Sequence, residues 1–88
     1  MSEPREHAIK RMRMRSMRRG IKEMDIILSA FADDHLSDMT DAELGTYDSV
    51  LNENDQDLYQ WVTGQRSPPA ELADMITRIA VQFQKKAP

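Results

Sequence analysis

The chain contains no cysteine, which excludes a disulfide scaffold, a thiolate zinc site and a cysteine nucleophile, so its cohesion must come from packing or from a partner. Its three glycines, Gly20, Gly45 and Gly64, stand far apart, and neither nucleotide-binding fingerprint can be built from them. Charged residues interrupt every hydrophobic stretch, so no run approaches the roughly 20 apolar residues that cross a bilayer. The two histidines, His7 and His35, lack the paired spacing of a metal site and are expected to be solvated surface residues. No nucleophile elbow surrounds Ser16, Ser29, Ser37, Ser49 or Ser67, which makes a hydrolase a poor fit. The opening MSEPREHAIK has neither an apolar signal core nor the acid-free, serine-rich character of an organelle transit peptide. On that ground a cytoplasmic chain without membrane insertion is expected.

What remains is 88 residues with 40% apolar and 31% charged content, enough for one small core. A single domain over 1–88 is expected, with residues 1–6 and 84–88 as frayed tails. Its charge is divided. Residues 1–22 hold eight of the twelve basic residues and two of the fifteen acids, a balance of +6, leaving −9 for the rest. From Asp33 to Asp57 there are nine acidic residues and no Lys or Arg, so this stretch must face water or a basic surface. A basic arm suggests nucleic acid, but residues 1–22 contain no Phe, Tyr or Trp to stack on a base.

Apolar spacings of three and four predict an all-α fold, a small single-domain bundle of four to five helices. The first runs from about Arg5 to Arg18 with Ile9, Met12 and Met17 inward, and Gly20 ends it. The second begins near Ile21, shows Ile21, Met24, Ile27, Leu28 and Phe31 on one face, and unravels over Ala32–His35. Thr40 and Glu43 form a capping box for a third, which buries Leu44, Tyr47, Val50 and Leu51 and stops near Asn52. Asn54 or Asp55 caps a short fourth, Asp57 to about Val62, with Leu58 and Val62 inward, Trp61 as the core anchor and Gly64 as the stop. Ser67-Pro68-Pro69 opens the last, whose stripe is Leu72, Met75, Ile76, Ile79 and Phe83. The run Asn52–Asp57 suggests a calcium loop, but the sixth position from Glu53 is Leu58 and the twelfth is Gly64, so a helix cap fits better.

Gly20 is the anomaly, a glycine set between Arg18-Arg19 and Glu23-Asp25 where one long helix was otherwise available. It can serve simply as a turn between a helix end favoured by arginine and a helix start favoured by acids. It can also let another protein's backbone approach while Arg19 and Glu23 make directional polar contacts around it. Both readings are compatible. At Arg19-Gly20-Ile21-Lys22-Glu23, extended to Asp25, the chain resembles the SdhE family of succinate dehydrogenase flavinylation factors, whose signature is Arg-Gly-x-x-Glu. Asn54-Asp55-Gln56-Asp57-Leu58-Tyr59-Gln60-Trp61 is similar to that family's second recognisable stretch.

The resemblance implies a small helical assembly factor and not an enzyme. Members bind the flavoprotein subunit of succinate dehydrogenase, and often of fumarate reductase, and promote covalent attachment of FAD to it. It implies a partner-binding face of Arg19, Gly20, Glu23 and Asp25, no catalytic or metal-binding residues, and no cofactor of the chain's own, since FAD is attached to the client. The alternatives are a small regulatory module, antitoxin-like or binding nucleic acid through the basic N-terminal helix, and a self-associating adaptor.

Overall fold

The protein is described here by a computed structural model covering residues 3–86. Five helices follow in order: α1 (Arg5–Arg15), α2 (Lys22–His35), α3 (Asp41–Leu51), α4 (Asp55–Val62) and α5 (Ala73–Lys86), with short 3-10 turns at Leu36–Asp38 and Ala70–Leu72. Among the described residues there is no strand. The expectation of frayed ends lies outside the described residues at 1–2 and 87–88; within them helix begins at Arg5 and extends to Lys86.

Helix α2 is the central element, packed against α1, α4 and α5. Met24, Leu28 and Phe31 on its inner face have no exposed surface, and Tyr47, Val50, Leu58 and Ile79 close the core around them. The Phe31 and Tyr47 rings stack with centroids 5.6 Å apart, an offset aromatic contact that adds to simple area burial. Burying Tyr47 requires partners for its hydroxyl. It donates to Ser16 Oγ at 2.6 Å, Ser16 Oγ in turn donates to the Met12 carbonyl at 2.7 Å, and the Leu28 carbonyl lies 3.4 Å from the Tyr47 oxygen. Burial pushes the Tyr47 phenol up to about 12, against the opposing hydrogen bond with Ser16.

Local chemistry explains most helix limits. The Thr40 and Glu43 capping box is present, with Glu43 N–H donating to Thr40 Oγ1 at 3.1 Å and Thr40 N–H to Glu43 Oε1 at 2.8 Å. Asn54 Oδ1 accepts from Gln56 N–H at 2.8 Å, so α4 begins at Asp55, two residues before the expected start. Gly64, at φ +81°, supplies the left-handed residue that ends α4.

Several expectations are overturned. Helix α1 stops at Arg15 and not Arg18, and Met17 is 46% exposed instead of inward. The residue with positive φ after α1 is Arg18, at φ 56°, and not Gly20. Helix α2 does not unravel at Ala32 but continues to His35, because Ala32 is itself buried. His35 is not a free surface residue: its Nε2 lies 2.8 Å from Gln82 Oε1 and its ring centroid 4.7 Å from that of Phe31. Trp61, expected as the core anchor, is only partly buried, packed against the outside of the core. Proline and a 3-10 turn, with no side-chain cap from Ser67, precede α5.

The divided charge folds onto itself. Arg11 places two guanidinium nitrogens on Asp48 at 2.9 and 3.0 Å, and Arg15 adds a third contact at 2.9 Å. Arg5 reaches Asp41 at 2.8 Å. Two carboxylates of the acidic stretch, Asp41 and Asp48, are thus faced by the chain's own α1. The guanidinium of Arg11, then that of Arg15, holds the Asp48 carboxyl below the usual carboxylate range.

Two outcomes follow from this packing. Phe31→Ala should lose about 3–5 kcal/mol by opening a cavity, and Trp61→Ala only about 1–2 kcal/mol, a difference measurable by chemical denaturation. Because the folded pKa of Asp48 is depressed, its contribution is present above about pH 4, the unfolded value, and is lost as pH falls through the lower folded value. Asp48→Asn should therefore flatten the acid limb of the stability curve below about pH 4, as read by thermal melts.

Candidate functional site

Residues 16–21 join α1 to α2 and carry the Arg19-Gly20 pair. The turn starts at Ser16, whose N–H bonds back to the Met12 and Arg13 carbonyls while its own carbonyl accepts from Ser29 Oγ at 3.3 Å. Arg18 then adopts φ 56°, a conformation costing a non-glycine residue about 1–2 kcal/mol. Asp25, in the first turn of α2, offsets this by accepting from the Arg18 N–H at 2.8 Å through Oδ2. Its Oδ1 accepts from Ser29 Oγ at 3.2 Å.

Arg19 turns away from solvent. Its Nε donates to Asp55 Oδ1 at 2.7 Å, its Nη1 to the Arg15 and Leu51 carbonyls at 3.1 and 3.2 Å, and its Nη2 to the Glu53 carbonyl at 3.2 Å. The two side chains of the Arg19–Asp55 pair are 11% and 14% exposed. Arg15 reaches the same Leu51 carbonyl at 3.1 Å, so two arginines from outside α3 satisfy the orphan acceptors at its C-terminal end, where the helix dipole favours cations. The second oxygen of Asp55 accepts from the Gly20 N–H at 2.5 Å. A Cβ at Gly20 would sit 3.2 Å from that oxygen. The close approach that needs a glycine here is thus first an approach by the chain's own Asp55.

The expected four-residue face therefore separates into two groups. Gly20 and Glu23 are exposed, and among the described residues Glu23 has no ion-pair partner. Arg19 and Asp25 work beneath them, one tying the turn to the start of α4 and the other bonding its strained residue. Arg19, expected as a polar anchor on a partner, has its guanidinium engaged within the chain. On the outward side of α2, Ile26 is 60% exposed one turn beyond Glu23, and Met14 and Met17, before the turn, are 63% and 46% exposed. The sequence reading took Asp55 as a possible helix cap within the second family-like stretch and not as a site residue, and it gave Ile26 and Met14 no place. Asp55 had a signal, as a carboxylate within an acid-only stretch opposite a strongly basic arm. Nothing in helical periodicity marks Met14 or Ile26 as outward apolar residues with a purpose. Among the described residues no group of three His, Asp or Glu side chains is placed to hold a metal ion, and no helix is long and apolar enough to cross a membrane.

Comparison with known proteins finds a family model described as flavinator of succinate dehydrogenase matching residues 10–82. The chain is similar to a protein of Candida glabrata named succinate dehydrogenase assembly factor 2, mitochondrial, with 54% identity over 53 residues, covering 60% of this chain and 35% of that protein. Proteins of the same name from Aspergillus flavus and Mycosarcoma maydis share 48% and 40% identity, covering 69% and 82% of this chain but 20% and 30% of their own lengths. The chain thus spans about a fifth to a third of the length of these relatives. The expectation of a cytoplasmic chain is overturned: the relatives are named as mitochondrial proteins, and the opening residues were a poor guide to compartment. With the signature on an ordered turn and the match running from α1 to α5, the chain belongs to the flavinator family of succinate dehydrogenase assembly factors.

Proposed function

We propose that this chain binds the flavoprotein subunit of succinate dehydrogenase through the Gly20–Glu23 turn and promotes covalent attachment of FAD to that subunit. The carrying observation is an exposed glycine and an unpaired glutamate held on a turn that Arg19, Asp25 and Asp55 fasten from below. An ordered turn of this kind binds without first losing conformational freedom. Bond formation is left to the flavoprotein. The chain's part is to bind preferentially an arrangement of the client in which the accepting histidine and the flavin carbon stand at attack distance. It brings no FAD of its own in this reading.

Arg5, Arg11 and Arg15 of the basic N-terminal helix are paired with Asp41, Glu3 and Asp48 of the same chain, which favours the flavoprotein reading over a nucleic-acid one. These charges are spent on folding.

Mass spectrometry of the flavoprotein subunit, produced with and without this chain, should show the covalent flavin mass only in its presence; equal flavinylation in both would refute the proposal. Gly20→Arg should abolish co-elution with the subunit on a sizing column while the helical circular dichroism stays close to that of the parent. Glu23→Ala should weaken the complex by about 2 kcal/mol or more if its charge is desolvated against the partner, read as a roughly thirtyfold rise in Kd.

A further inference from the structure

We infer that Asp55 is a positioning residue for the docking turn, which presents Gly20 and Glu23 in a binding-ready conformation by gripping the turn from the start of α4. The inference rests on the proposed docking role of that turn and adds a residue that lies outside its exposed surface.

Four observations converge on Asp55. Its two oxygens are divided between the two residues of the Arg-Gly pair: Oδ1 receives Arg19 Nε at 2.7 Å and Oδ2 receives the Gly20 N–H at 2.5 Å. The side chain is 14% exposed, so a docked protein has little of it to touch. Gly20 allows only this partner so near, since any Cβ would come within 3.2 Å of Oδ2. The turn is otherwise costly to hold, because it carries a non-glycine residue at positive φ.

The backbone of α4 is itself set by Asn54, whose Oδ1 accepts from the Gln56 N–H, so Asp55 projects from a fixed helix start. Arg19 completes the grip by bonding the Arg15, Leu51 and Glu53 carbonyls. The turn is thereby referenced to three helices at once. With Asp55 absent, Arg19 keeps its carbonyl contacts but the Gly20 N–H loses its acceptor, and the turn samples other conformations. Apparent affinity then falls by the fraction of time the binding conformation is occupied. A turn ordered a tenth of the time binds about tenfold more weakly.

The test compares Asp55→Ala, Glu23→Ala and the double variant in the full chain. In the free chain, amide hydrogen exchange at Gly20 should accelerate in Asp55→Ala by at least about tenfold, with protection in α2, α3 and α5 retained. Binding to the flavoprotein subunit should weaken about tenfold in Asp55→Ala. In the Glu23→Ala background the same substitution should weaken binding by about the same factor, because the occupancy of the binding conformation multiplies whatever contacts remain. Unchanged Gly20 exchange, unchanged affinity, or a loss well below about tenfold in the Glu23→Ala background would each overturn the inference, as would loss of protection throughout the bundle. A parent chain that fails to bind the flavoprotein would defeat the functional proposal instead, and the exchange measurement would still decide whether Asp55 orders the turn.

Discussion

A guanidinium opposite a carboxylate, repeated along one seam, is the interaction on which the rest of this small bundle depends. Arg11 and Arg15 converge on Asp48, and Arg19 on Asp55, while the same arginines take up the free carbonyls at the end of α3. Single exposed ion pairs contribute little. Here, however, the forks are shared and bidentate, and one pair is largely withdrawn from water, a geometry in which removing either partner leaves an uncompensated charge. The seam joins the first helix to the third and the connecting turn to the fourth. Without it Asp48 and Asp55 would lose their cationic partners, and the first helix would have little reason to lie where it does.

Helical periodicity made the interior legible. Met24, Leu28, Phe31, Leu44, Tyr47, Leu58, Met75, Ile76 and Ile79 all lie on the faces their spacing indicated, because a helix with a continuous apolar stripe has only one side to bury. The Thr40–Glu43 box was legible for a different reason, since its two reciprocal bonds are local and need no knowledge of the fold. Errors gathered where tertiary context overrides local rules. Trp61 was placed on one helix face with Leu58 and Val62 and expected to anchor the core, but it is only partly buried at the core's edge. Gly20 was expected to end α1 because glycine usually takes the left-handed position; instead Arg18 takes it, with Asp25 as the compensating acceptor.

The candidate site was half legible. Residue types marked the turn, but a pattern of letters does not distinguish a side chain that reaches a partner from one that reaches its own chain. Arg19 has the chemistry of an anchor and the geometry of a brace. Glu23 has the reverse situation, an exposed helix-start acid with no ion pair among the described residues. In a chain with one small core, rigidity outside that core has to be built from polar ties where apolar contacts run out. The family match runs from α1 to α5.

Helix α1 contributes a single fully buried apolar side chain, Met12, with Ala8 and Ile9 at the margin. Its attachment is therefore mostly ionic, and ionic attachment is screened by added salt as greasy attachment is not. Because that helix leads directly into the Arg19-Gly20 turn, rising ionic strength acts on its attachment before it acts on the apolar contacts among α2, α3, α4 and α5.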